Sequence, residues 1–200
     1  MGRPRKFEDD SVVEQVMQVF WSEGYAAASV SDLVSATGLG KGSLYGSFGG
    51  KQALFTLALQ RYSEQVLEEA RAALDGDDAG AASRLRGYVL GALPPQDEVT
   101  NRACLLSHSA AELGAREPEV QQAVRDAYGQ LRDLFEDTLV QAQNAGTVSG
   151  DVHPRQAANG LVTVLRGVEA LREAGAELQV LRDAVDMALR SAGLELADQD

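Results

Sequence analysis

The sequence predicts an all-α protein in which a small three-helix N-terminal head is joined to a larger helical body. Three observations carry that prediction. Apolar residues recur at i, i+3 and i+4 almost throughout the 200 residues. No segment shows the period-two run of β-branched residues that a half-buried strand requires. Glycine and proline breaks, such as Asp75 to Gly80 and Pro94-Pro95, divide the periodic segments.

The elements follow in order. Gly2 to Lys6 has no periodicity and contains Pro4, so it reads as a flexible basic arm. From Asp10, the spacing of Val12, Val13, Val16, Val19 and Phe20 predicts a first helix of about four turns, stopped at Gly24. Ser29 and Asp32 supply N-cap chemistry for a second, short helix whose apolar face is Leu33, Val34 and Ala36, and Gly38 ends it. Lys41 to Phe48, closed by Gly49-Gly50, has room for a third helix of about two turns. Lys51 to Leu74 reads as one long amphipathic helix, and the body continues as helices over 81–93, 99–114, 118–145, 154–173 and 178–192.

Composition bounds the function. With 44% hydrophobic and 24% charged residues the chain resembles an ordinary folded protein. No apolar stretch follows Met1 to Lys6 and no run of eighteen apolar residues occurs, so neither a secretion signal nor a membrane span is expected, and the expected location is cytoplasmic. A net charge of -12 argues against a nucleic-acid partner until its distribution is considered. Residues 1–51 hold five basic residues, including all three lysines, against six acidic ones, whereas residues 52–200 hold thirteen against twenty-four. A near-neutral head on an acidic body suits a DNA reader whose body is kept off the phosphates, and it equally suits an acidic enzyme.

Two short helices flanking a glycine turn are the parts of a helix-turn-helix. The second helix enters the major groove, and the turn needs a residue that tolerates positive φ, the place held by Gly38. Leu33, Leu39 and Leu44 have the spacing of a small apolar knot, leaving Lys41, Gly42, Ser43, Tyr45, Gly46 and Ser47 to face outward. Glycine in a helix costs about 1 kcal/mol, which close approach to a sugar-phosphate edge would justify. Tyr45 and Ser43 can donate to phosphate, Lys41 and Lys51 supply charge, and Arg3, Arg5 and Lys6 have the reach for a neighbouring minor groove. The candidate DNA-contacting set is therefore Arg3, Arg5, Lys6, Ser29, Lys41, Gly42, Ser43, Tyr45, Ser47 and Lys51. The same pattern also fits a plain helix connection in a bundle, with Tyr45 and Phe48 as core aromatics.

Phe20-Trp-Ser-Glu-Gly-Tyr25, Ser29 to Phe48 and Lys51-Gln-Ala-Leu-Phe55 resemble the N-terminal signature of the TetR family of repressors over about residues 8–60. The resemblance implies a homodimer on operator DNA, a recognition helix at about 41–47 and a ligand pocket in each body. It also implies that the last two helices pair with those of the mate. Leu161, Val164, Leu165, Val168 and Leu171, with Val180, Leu181, Val185, Leu189 and Leu194, have suitable apolar spacing, although these residues would equally serve the chain's own core. Gly46 and Gly49-Gly50 depart from the bulkier or polar residues usual in the family. The implied division is a DNA-binding domain over 1–50 and a helical ligand-binding and dimerisation domain over 51–200.

Cys104 is the only cysteine, and helical spacing predicts that it shares a face with His108 and Glu112. A buried inert thiol is one reading. A redox or electrophile sensor is another, with His108 and Arg102 near enough to favour thiolate, and the segment also resembles the cysteine-bearing helix of a sensing subgroup of the family. A metal site is a third reading, although residues eight apart on one helix lie about 12 Å apart and only two of the three could share an ion. His153, ahead of Pro154, reads as a capping or surface residue, and the acidic pairs Asp9-Asp10, Glu68-Glu69 and Asp77-Asp78 as solvated turns or faces. No catalytic triad arrangement, Walker loop or dinucleotide fingerprint occurs, so neither an enzyme nor a cofactor is expected. The expected function is a repressor released from a palindromic operator by a small molecule or by modification of Cys104. The rival is a helical small-molecule-binding or enzyme domain with a structural N-terminal segment.

Overall fold

The computed structural model describes residues 5–93, 104–114 and 116–195, with side chains from residue 10 onward. Among these residues it is all helical: α1 (Arg5–Ala27), α2 (Val30–Thr37), α3 (Lys41–Phe48), α4 (Lys51–Leu74), α5 (Ala81–Leu90), α6 (Leu105–Leu113), α7 (Pro118–Asn144), α8 (Pro154–Glu173) and α9 (Leu178–Ser191), with a single 3₁₀ turn, Asp78–Gly80, before α5. The all-α expectation holds because the periodicity that predicts it is the same periodicity that buries one face of each helix.

Two boundaries differ from expectation. Arg5 and Lys6 lie on the backbone of α1 rather than in an arm, since the residues from Arg5 onward carry no breaker until Gly24 and a proline ahead of a helix removes no intrahelical bond. Arg3 falls outside the described residues. The helix expected over 99–114 is α6, Leu105–Leu113, and residues 94–103 also fall outside the described set. Gly24 does end the first helix proper: its φ of 78° and ψ of 171° are accessible essentially to glycine alone.

The chain forms two compact units. The first is Met1–Val66 with Arg102–Arg125, and the second is Leu67–Asn101 with Asp126–Asp200. Packing thus groups residues differently from the functional division at 50 and 51, because the first half of α4 completes the head's core. Val16, Met17, Phe20, Leu33, Leu44, Leu54, Phe55 and Leu59 are all shielded from solvent. The Phe20 and Phe55 rings meet edge-on at 5.0 Å, Tyr25 meets Phe55 at 4.9 Å, and Trp21 meets Tyr62 at 5.2 Å. In the second unit, α8 and α9 pack along one another, and Leu85, Leu131, Phe135, Leu139, Leu161, Leu165, Leu181 and Val185 form a continuous core.

Of the two roles open to the apolar residues of α8 and α9, the chain's own core takes most of them. Leu161, Leu165, Val168, Leu181, Val185, Leu189 and Leu194 are buried within their own unit. The large apolar side chains of α8 and α9 that remain exposed are Leu171, Val180 and Met187, the last not singled out from the sequence.

Candidate nucleic-acid interface

The helix-turn-helix is built from strong local signals. Ser29 caps α2, its Oγ accepting the Asp32 N–H at 3.2 Å while the Asp32 carboxylate accepts the Ser29 N–H at 2.8 Å. Hydrogen bonds from Ser29, first from its hydroxyl and then from its backbone, hold the Asp32 carboxyl below the usual carboxylate range. At the other end, Gly38 adopts φ 66° and its N–H closes on the Val34 carbonyl at 2.9 Å, turning the chain into α3 without the strain a Cβ would meet there. Leu33 and Leu44 are fully buried and Leu39 partly so, the burial that the predicted apolar knot requires.

With Leu44 directed inward, α3 turns Lys41, Gly42, Ser43, Gly46 and Ser47 to solvent, and Tyr45 is partly exposed beside them. The Lys41 ammonium lies 6.0 Å from the Tyr45 ring centre. A Cβ added at Gly42 or Gly46 would meet nothing within 4 Å, so no contact inside the chain demands glycine at either position. Ser29 stands exposed at the start of α2, but its oxygen already serves the cap. The side chains of Arg5 and Lys6 lie outside those described.

Residues outside the sequence-predicted set gather around the end of α1. Tyr25 and Ala26 donate their backbone N–H groups to the Glu112 carboxylate at 2.9 and 2.6 Å. Lys51 sets its ammonium 4.6 Å from the Tyr25 ring centre and 3.5 Å from the Ala26 carbonyl. Burial, followed by the negative or ionisable groups Glu117, Tyr45 and Glu112, pushes the Tyr25 phenol above its ordinary pKa. Gln52 donates to Glu117 at 2.6 Å, tying the start of α4 to the residue that precedes α7.

The residues 81–188 match a family described as the tetracyclin repressor-like C-terminal domain, and residues 13–58 match the family of bacterial regulatory proteins named for tetR. The chain belongs to the TetR family. It is a DNA-binding transcriptional regulator. Among curated proteins, it is 26% identical over 192 residues to the HTH-type transcriptional repressor ComR of Escherichia coli K12, covering 94% of this chain and 90% of that one. Among solved structures, it is 31% identical, with a TM-score of 0.71 over 94% of this chain and 98% of the other, to a cysteine-substituted form of the TetR-family regulator CifR complexed with 26-base-pair operator DNA. The reduced form of Escherichia coli NemR shares the fold at a TM-score of 0.78 and 18% identity, over 92% of this chain and 96% of that one.

In this TetR-family chain His108 and Glu112 lie one turn apart on α6, and Cys104 stands at its start. Cys104 is the N-cap of α6, with extended angles of φ -65° and ψ 122°, and is 6% exposed. Its carbonyl accepts the His108 N–H at 3.0 Å. His108 and Glu112 lie against Gly24: a Cβ there would come within 3.6 Å of His108 Cε1 and 3.3 Å of a Glu112 oxygen. The Glu112 carboxylate is engaged by α1, and among the described residues no group of three or more His, Cys, Asp or Glu is placed to hold a metal ion. His153 precedes α8 with no side-chain cap bond and is exposed, so of the two roles expected it takes the surface one.

Proposed function

We propose that this protein is a homodimeric repressor that binds a palindromic operator through α3 and is released by an effector acting on its body. The observation that carries the reading is the exposed face of α3, where Lys41, Ser43, Ser47 and part of Tyr45 converge on a helix anchored by a fully buried Leu44. Hydroxyls and ammonium groups fix register on phosphates, and glycines without intrachain reason at 42 and 46 let the helix approach the groove closely. Lys51 adds a charge just beyond the recognition helix, Ser29 a hydroxyl before it, and Arg3, Arg5 and Lys6 a basic start. In this division of labour residues 1–50 bind DNA and residues 51–200 bind effector and mate.

The mate docks on α8 and α9. Leu171, Val180 and Met187 remain exposed there, and Val152, Leu161, Val164 and Met187 help line a groove of about 590 Å³ between the two helices. Two heads must match half-sites one helical turn, about 34–36 Å, or a multiple apart, so a modest change in the body unhitches both. Cys104, with His108 one turn on, is the proposed point at which an oxidant or electrophile acts. No helix among the described residues is long and apolar enough to cross a membrane, and the reading places the protein in the cytoplasm with no catalytic group or cofactor.

The test uses a duplex selected from a random pool by the wild-type protein. Its binding weakens steeply with salt, log K falling by about 0.9 per phosphate contact and decade of salt. Lys41→Ala and Tyr45→Ala lower affinity while leaving thermal unfolding unchanged. Absence of salt-sensitive DNA binding overturns the reading. For the effector, Cys104→Ser abolishes release by a thiol oxidant or electrophile; an unchanged response returns Cys104 to the core.

A further inference from the structure

Gly24 breaks α1 with non-helical angles, and the chain re-enters helix immediately: the Ala28 N–H closes on the Gly24 carbonyl at 3.3 Å. Gly24 is therefore the N-cap of a new single turn, and the N–H groups of Tyr25 and Ala26 have no carbonyl four residues back. Serine or aspartate at the cap would ordinarily satisfy them; glycine has no side chain to do so. Glu112, 87 residues from Tyr25 in sequence, takes both donors at 2.9 and 2.6 Å. A carboxylate at the start of a helical turn forms charge-assisted bonds and meets the positive end of the turn's dipole. Gly24 also makes room: a Cβ there would stand 3.3 Å from the Glu112 oxygen.

The turn that Glu112 caps is the seat for Lys51. Its ammonium is 3.5 Å from the Ala26 carbonyl and 4.6 Å from the Tyr25 ring, and the chain leaves the turn through Ala28 directly into Ser29, the cap of α2. One carboxylate on α6 thus fixes the entrance to the helix-turn-helix and the lysine that follows it.

We infer that Glu112 is a positioning residue for operator binding, acting through the Tyr25–Ala26 turn on Lys51 without touching DNA itself. This rests on the DNA-binding reading above. It predicts a sign opposite to simple electrostatics, since removing an acidic charge from a DNA-binding head ordinarily tightens binding to phosphates.

The experiment measures affinity for the wild-type-selected duplex across a salt series, using wild type, Glu112→Gln, Glu112→Ala, Lys51→Ala and the double variant Glu112→Ala/Lys51→Ala. Folding of each is followed through Trp21. Glu112→Ala is expected to weaken binding by roughly tenfold and to reduce the salt slope by about one contact, as loss of a single phosphate-bound lysine does. Glu112→Gln, which keeps one acceptor, falls between. The double variant binds no more weakly than Lys51→Ala, because both single changes remove the same contact. If Glu112→Ala does not fold, Glu112→Gln against Lys51→Ala carries the comparison. Binding by Glu112→Gln as tight as wild type or tighter, or additive losses in the double variant, overturns the inference while leaving the DNA-binding reading in place. Failure of the wild type to select any duplex overturns both.

Discussion

The Lys51 ammonium stands 4.6 Å from the centre of the Tyr25 ring, so the charge that follows α3 is seated on α1. A cation held over an aromatic face at a partly exposed site is stabilised by about 0.5–1 kcal/mol. Tyr25→Leu should therefore weaken operator binding by roughly 2–5-fold at fixed salt, whereas Tyr25→Phe, which keeps the ring, should bind like wild type. Fluorescence anisotropy on a labelled duplex measures both. Equal losses in the two variants would assign the effect to the phenol instead.

Gly42 and Gly46 separate a folding role from a binding role. Alanine at either position meets no atom within 4 Å and should stabilise α3 by about 1 kcal/mol, raising the unfolding midpoint. Affinity for the operator should fall in the same variants, because the added methyl stands between helix and groove. A rise in both stability and affinity would show that the glycines do not serve close approach.

Asp32 gives the head an acid-sensitive cap. Its carboxyl is held below the ordinary value of 3.8 in the folded chain, so its contribution is fully present above that value and is lost as pH falls through the lower, folded one. The head should therefore lose urea resistance below about pH 4. Asp32→Asn should be less stable at neutral pH and show a shallower acid limb. Trp21, the only tryptophan, lies in the same compact unit and reports the transition.

Two adjacent residues on α9 test the proposed mate contact against the core. Val180 is 50% exposed and Leu181 only 1%. Val180→Asp should leave the chain folded and shift sedimentation from dimer to monomer. Leu181→Ala should lower the stability of the unit by about 2–5 kcal/mol through loss of buried surface and the resulting cavity.

The elements of the head were legible because their signals are local. Ser29 and Asp32 are three residues apart, Gly38 needs only its own φ, and Leu33 with Leu44 needs only helical spacing across one short turn. The family resemblance rested on the same stretch. On α8 and α9 two roles stayed open for a physical reason: periodicity reveals that a face is apolar without saying what covers it. Leu161, Leu165 and Leu181 share their pattern with Leu171 and Val180, yet the first three are inside and the last two outside.

The sequence by itself determined the helices, the turn between α2 and α3 and the outward face of α3, since each follows from backbone propensity and spacing within a few residues. Only the tertiary structure decided that Glu112 would cap the turn after Gly24. Gly24 opens two N–H groups there and cannot satisfy them itself, and the carboxylate that does so comes from 87 positions along the chain. Spacing along one helix cannot reveal such a partner; folding brings it near, and the unmet donors give it a reason to stay.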